Sequence, residues 1–161
     1  MNFQRVRAIA LDVDGVLTDG GFWWGAGGEE LKRFCFADVM GVSLATKAGL
    51  VVALISGEDS PLVDRFARKM HLDDVYKGCK NKREAVRAFA AARDLALEEI
   101  CFMGDDVNDV EAMRVCGLAA APADARPIAL AEASFVAEAP GGNGAVRELV
   151  DAILAARGVV R

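Results

Sequence analysis

The chain has 161 residues, of which 53% are hydrophobic and 27% charged, with a formal net charge of −5. That length suits one domain (1–161) with a substantial core and leaves no room for a second of similar size. The acidic balance argues against nucleic acid or an anionic membrane surface as partner, and no apolar run has the length of a membrane span or the form of a signal peptide, which fits a cytoplasmic protein.

The first element is the apolar run Val6 to Leu11, broken only by Arg7, which reads as a buried strand. It ends at Asp12-Val13-Asp14-Gly15. As the strand turns, both carboxylates are placed to converge on the crevice beyond its carboxyl end. Such a pair at the edge of a core is costly through repulsion and desolvation. A hard cation offsets that cost, and Mg²⁺ is the natural occupant of an oxygen-ligand site. Taken alone, Asp-x-Asp-Gly is also an ordinary strand-ending turn.

Residues from about 20 to 36 hold Phe22, Trp23, Trp24, a glycine-rich turn and a second semi-alternating run, the signature of a β-hairpin. A two-stranded hairpin is marginally stable alone, so its aromatics need a packing partner, either the domain's own core or another subunit. Asp38 is the expected N-cap of a helix reaching Ala48, with Gly49 as its stop. Val51 to Ile55 is the next buried strand, ending at Ser56-Gly57-Glu58. Ser60-Pro61 then opens a helix with Leu62, Val63, Phe66 and Met70 on its apolar face. A strand end, Ser-Gly and a helix N-terminus make a ready anion site. The lone histidine, His71, falls at that helix's end as a structural or solvated residue, which leaves acid–base work to carboxylates.

Asp74 to Tyr76 is a short third strand. Lys80 and Lys82 precede a helix from Arg83 to about Arg93, an unfavourable place for cations unless an anion lies between; spacing does not choose between the two lysines. The fourth strand, Ile100 to Met103, repeats the pattern of the first, ending in Gly104-Asp105-Asp106-Val107-Asn108-Asp109. A helix from Asn108 to Val115, a strand at Leu118–Ala121, a helix near Arg126–Ala133, a strand at Phe135–Val136 and a last helix from about Gly144 to Arg157 follow. Strands alternating with helices predict an α/β, three-layer, Rossmann-like fold with a mostly parallel sheet. Only a hairpin follows the first strand, so no cap domain is expected. Cys35, Cys79, Cys101 and Cys116 lack metal-site spacing and read as reduced thiols.

Together, the segments at 12–20 and 104–109 resemble the haloacid dehalogenase superfamily of phosphotransferases. More narrowly, residues from about 8 to 150 resemble its small capless phosphatases of 2-keto-3-deoxy sugar acid phosphates. The resemblance implies Asp12 as nucleophile and Asp14 as general acid–base. It implies Mg²⁺ on Asp12, Asp105 and the main-chain carbonyl of Asp14, with Asp106 and Asp109 orienting it. Lys82, Ser56, Gly57 and Asn108 match the positions that bind the phosphoryl group, with Lys80 the runner-up for the lysine. An acidic residue at position 14 favours hydrolysis over a stable phosphoenzyme. Family members also resemble one another as homotetramers joined through such hairpins. Glu58 and Lys69 match a pair in the nononate 9-phosphate branch, where the octulosonate 8-phosphate branch carries arginine after the glycine, so the nine-carbon substrate is favoured. The tail Pro140 to Arg147 is common to both branches; its glycine loop is expected near a neighbouring site, with Arg147 as a carboxylate contact. A receiver domain is disfavoured because Lys77 to Lys80 offers no aspartate after the third strand. A non-catalytic oligomerisation domain of sugar-acid metabolism is the alternative, but it predicts eroded motifs, and all four are filled.

Overall fold

The computed structural model describes residues 2–159. Its strands and helices, in chain order, are β1 (Ala8–Leu11), β2 (Trp23–Trp24), β3 (Glu30–Leu31), α1 (Phe36–Lys47), β4 (Val51–Ile55), α2 (Pro61–Met70), β5 (Asp74–Tyr76), α3 (Lys82–Ala92), β6 (Ile100–Met103), α4 (Val110–Val115), β7 (Leu118–Ala121), α5 (Pro127–Glu132), β8 (Phe135–Val136) and α6 (Ala145–Ala156). Six strands form one sheet in the order β5-β4-β1-β6-β7-β8, every pair parallel. The chain leaves β1 for β4 and β5 on one side, then returns to β6 on the other. The crevice therefore opens beyond the carboxyl end of β1, where the winding reverses.

Alternation within β1 sorts the core into two layers. Ile9 and Leu11 face a cluster with Val42 of α1, Val63 and Phe66 of α2, and Val146, Leu149 and Ile153 of α6. Ala8 and Ala10 face the other side, with Val86 and Phe89 of α3, Met113 of α4 and Ala129 of α5. Fully burying each of the larger side chains contributes roughly 1.5–3 kcal/mol relative to exposure. Buried on both faces, the central strands β1, β4, β6 and β7 read as unbroken apolar runs in the sequence, as parallel strands do.

Two expectations about helix starts are corrected. Asp38 does not cap α1; Cys35 occupies that position without a side-chain bond, and Asp38 lies within the helix's first turn. The buried Asp38 carboxylate instead accepts the backbone N–H groups of Gly144 (3.0 Å) and Arg147 (3.1 Å). Helix α6 begins on Gly144, at φ +111° and without a side chain to offer, so its cap comes from α1. Burial pushes the Asp38 carboxyl up, and those N–H bonds oppose it. Helix α4 begins at Val110, because Asp106 to Asp109 form a separate turn closed by the Asp109 N–H on the Asp106 carbonyl (3.0 Å).

The glycine-rich tail loop packs on its own chain. Gly142 donates its N–H to Val16 O (2.9 Å), Gly141 donates to Asp124 Oδ1 (2.9 Å), and Arg33 Nη1 reaches Gly142 O (3.1 Å). Arg147 Nε is held by both carboxylate oxygens of Asp151 at 3.0 Å, one turn along α6. All four cysteines are free, and burial pushes Cys116 up to about 12, which keeps that thiol protonated. His71 ends α2 in the left-handed region, at φ +55°. No helix of the described residues is long and apolar enough to cross a membrane.

Candidate active site

A cavity of about 670 Å³ opens at the carboxyl edge of the sheet. Asp12 and Asp14 reach it from β1, Gly57 and Glu58 from β4, Asp105, Asp106 and Asn108 from β6, Asp124 and Arg126 from β7, and Lys82 from the start of α3. The loop after β1 is tightly built: Val13 O accepts the N–H groups of Val16, Leu17 and Thr18, while the buried Thr18 Oγ1 accepts those of Gly15 (3.3 Å) and Gly20 (3.2 Å). Gly15 sits at φ +90°, and a Cβ there would run into the Asp105 carboxylate. Glycine thus serves twice, for its backbone angle and for the close approach of β6's aspartate.

Lys82 is the centre of the charge network. Its Nζ lies 2.8 Å from Asp12 Oδ1 and 2.6 Å from Asp109 Oδ1, with all three side chains buried. Asp109 Oδ2 accepts the N–H groups of Asp105 (2.9 Å) and Asp106 (3.1 Å), so both its oxygens are engaged. Lys80, by contrast, is exposed on the rim. Burial pulls the Lys82 ammonium down, but Asp12 and Asp109 outweigh it and hold it above the usual lysine range. Burial, then the charge of Asp109, pushes Asp12 well up, and the same two causes push Asp105 up to about 6. One ammonium does not neutralise this many carboxylates.

That imbalance fits a divalent cation. One oxygen from each of Asp12, Asp105 and Asp109 lies within 4.8 Å of the others; with Asp109 already engaged by Lys82 and two N–H groups, Asp12 and Asp105 are the carboxylates left to face a hard ion. The Asp14 carboxylate is not in this cluster: Lys32 Nζ lies 2.7 Å from its Oδ1.

The other expected site residues separate. Ser56 is fully buried, and its Oγ accepts the Glu58 N–H (3.1 Å), which leaves its own hydroxyl hydrogen to donate. Asn108 is exposed and faces Gly57, its Nδ2 lying 3.7 Å from where a Cβ on that glycine would be. Asp106 Oδ2 is 3.8 Å from Arg126 Nε. Glu58 lines the cavity, but Lys69 does not. Lys69 stands near the far end of α2, roughly 12 Å along the axis from its first residue, and borders an apolar groove with Phe34, Phe36 and Phe66. Among the described residues no ion pair joins Glu58 to Lys69, because α2 runs away from the carboxyl edge. Lys32, Asp124 and Arg126 were not legible as site residues. Asp124 had a signal: it follows the apolar run of β7 as Asp12 follows β1 and Asp105 follows β6.

Known proteins share this fold. A family model described as haloacid dehalogenase-like hydrolase matches residues 56–149. The 3-deoxy-D-manno-octulosonate 8-phosphate phosphatase of Escherichia coli K12 is 37% identical over 155 residues, covering 96% of this chain and 82% of the relative. The crystal structure of the Yersinia pestis phosphatase of the same name matches with a TM-score of 0.96 at 35% identity, over 98% of this chain and 85% of that one. The Moraxella catarrhalis phosphatase, solved with a magnesium ion, a phosphate ion and KDO, matches at 0.95 and 29% identity, over 98% and 90%. The sheet order, the acidic ends of β1 and β6 and these matches lead to one assignment: the chain belongs to the haloacid dehalogenase-like hydrolases.

Proposed function

We propose that this protein is a Mg²⁺-dependent phosphatase of a 2-keto-3-deoxy sugar acid phosphate, working through an aspartyl-phosphate on Asp12. The observation that carries this is the buried Asp12 carboxylate, 2.8 Å from the Lys82 ammonium and beside Asp105, at the floor of the cavity. Asp12, Asp105 and the Asp14 carbonyl would hold the ion, which when bound would supply the positive charge that lets a carboxylate meet a phosphate dianion. An Asp12 oxygen attacks phosphorus as the bond to the sugar oxygen breaks, and Asp14 gives that oxygen a proton. Asp14 then takes a proton from water, whose oxygen attacks the same phosphorus. Phosphate leaves, and Asp12 returns as a carboxylate. Lys82, Ser56, the Gly57 N–H and Asn108 bind the phosphoryl oxygens as charge builds on them. Asp106 and Asp109 orient the ion's surroundings.

The named relatives support 3-deoxy-D-manno-octulosonate 8-phosphate as substrate. Glu58 favours a second reading, 2-keto-3-deoxynononate 9-phosphate, because its carboxylate at the cavity wall can accept hydrogen bonds from the longer substrate's hydroxyls. The test compares kcat/KM for both phosphates, with Mg²⁺ and with excess chelator, in wild type and Glu58→Arg. Turnover of at least one, abolished by chelator, is expected; turnover of neither, or turnover undiminished by chelator, sinks the proposal. If Glu58 selects the substrate, the variant's preference moves by about tenfold toward the eight-carbon compound.

Homotetramer formation through the hairpin is part of the same proposal. Trp23 and Trp24 are 73% and 74% exposed, and Phe22, Leu31 and Phe36 are exposed with them. So much exposed apolar surface on and beside a β-ribbon of two residues per strand suits burial against other copies. Changing both tryptophans to serine is expected to lower the mass measured by light scattering. A wild type that is monomeric at micromolar concentration would refute the tetramer.

A further inference from the structure

Lys32 follows β3 on the hairpin, yet its side chain is only 3% exposed. Lysine is almost never buried to that degree without a partner, and here the partner is Asp14, with Nζ 2.7 Å from Oδ1. Glu30 Oε1 stands further off, at 3.8 Å. The other oxygen of the same carboxylate has the opposite character. Asp14 Oδ2 is the one buried side-chain nitrogen or oxygen among the described residues with no hydrogen-bond partner. A buried acceptor left in that condition costs about 1–3 kcal/mol, so its persistence calls for a reason.

We infer that Lys32 is a positioning residue for the reaction: it anchors Asp14 by Oδ1 and leaves Oδ2 as the atom that gives and takes the proton. This rests on the acid–base role proposed for Asp14. A carboxyl group free to rotate presents either oxygen, and proton transfer depends on holding the donor atom within hydrogen-bond reach of the leaving oxygen. The ammonium, 2.7 Å from Oδ1 at the wall of a small cavity that Asp14, Phe22, Trp24 and Glu30 also line, removes that freedom. The hairpin therefore carries part of the active site as well as an apolar face. The competing reading is that the ion pair merely fastens the hairpin to the body of the protein.

Leaving-group chemistry separates the two. A sugar alkoxide is strongly basic and departs poorly without a proton, whereas p-nitrophenolate departs without one. Because kcat/KM includes only the steps through phosphoenzyme formation, it isolates the proton given to the leaving oxygen. Wild type, Lys32→Met, Lys32→Gln and Lys32→Arg are each checked for folding by circular dichroism. They are then assayed on p-nitrophenyl phosphate and on whichever sugar acid phosphate wild type turns over faster. For Lys32→Met and Lys32→Gln, kcat/KM on the sugar acid phosphate is expected to fall about 100-fold, but by less than about fivefold on the aryl ester. Lys32→Arg, which keeps the charge and the donors, recovers most of the loss.

The Asp14→Asn background gives a second readout, needing only the sugar acid phosphate: there, Lys32→Met should cost nothing further. Equal losses on both substrates, no loss on either, or an undiminished cost in the Asp14→Asn background overturns the inference while the phosphatase reading stands. A wild type inactive on both sugar acid phosphates overturns that reading and this one with it.

Discussion

Asp12→Asn is expected to lower turnover by about 10⁴-fold or more while leaving the protein folded, on the scale of removing a covalent nucleophile. The amide is nearly isosteric with the carboxylate and still accepts a hydrogen bond from Lys82, whose second partner, Asp109 at 2.6 Å, is untouched. Stability should not suffer. Burial and the Asp109 charge hold the Asp12 carboxyl well above the usual range, so its ionised form is the uncomfortable one in the metal-free site. A neutral side chain there is expected to leave the melting temperature in chelator unchanged or raised. The rise that Mg²⁺ produces in wild type should shrink, because a ligand and its charge are gone. Phosphate release at more than a hundredth of the wild-type rate, in a preparation free of contaminating phosphatase, rules out Asp12 as nucleophile.

Lys82→Met is expected to be the most damaging single change to stability at the site. It removes the ammonium 2.8 Å from Asp12 and 2.6 Å from Asp109 and leaves their carboxylates facing each other in a buried pocket. Breaking a buried pair from one side costs about 3–5 kcal/mol, because the remaining charge is uncompensated. Turnover should fall by about 10³-fold as well, since a preorganised cation at the phosphoryl oxygens is lost.

The pH dependence of this loss has a definite sign. Burial, then Asp109, already raises the Asp105 carboxyl to about 6 with Lys82 in place. A carboxyl whose folded pKa lies above its unfolded one destabilises the native state fully above the folded value, and that cost is relieved as the pH falls toward the unfolded value. In metal-free buffer the variant is therefore expected to gain stability, relative to wild type, from pH 8 down to pH 5. Mg²⁺ at pH 7.5 should restore part of it. Denaturant titrations at the two pH values check both points; a gap to wild type that is the same at pH 8 and pH 5 contradicts the electrostatic account.

Much of this architecture was readable in the chain, and the reasons are local. Val51–Ile55, Asp74–Tyr76, Ile100–Met103 and Leu118–Ala121 form the strands expected of them. All but Asp74–Tyr76 are short apolar runs bounded by turn formers, and their burial on both faces leaves little ambiguity of type. The acidic ends of β1 and β6 were legible for a related reason, since carboxylates directly after buried strands have few structural excuses. What escaped the sequence depends on contacts distant along the chain. Lys80 and Lys82 are alike on paper, but α3 begins at Lys82, with Asn81 Oδ1 accepting the Glu84 N–H, and that start turns Lys82 inward. Asp38 has the form of a local cap, yet the N–H groups it serves lie more than a hundred residues away. Glu58 and Lys69 are paired by resemblance to a family branch, whereas in the structure Lys69 lies near the far end of α2, outside the cavity that Glu58 lines. Lys32 carried no local sign at all, because hairpin alternation fixes a face and not what that face meets.

The placing of both tryptophans on the hairpin has a practical consequence for anyone who studies this protein by its own fluorescence. The chain has two tryptophans in all, at adjacent positions, and each is about three-quarters exposed, while the aromatic residues of the sheet's two core layers are phenylalanine and tyrosine. Emission on excitation near 295 nm therefore comes from the hairpin, and the hydrophobic core is dark to it. A blue shift on concentrating the sample records what the ribbon touches, and a fluorescence melt records the ribbon's release. The unfolding of the body has to be followed by another signal, such as far-ultraviolet dichroism. Where the two melting curves part, the interval between them measures how far the hairpin outlasts, or precedes, the domain that carries it.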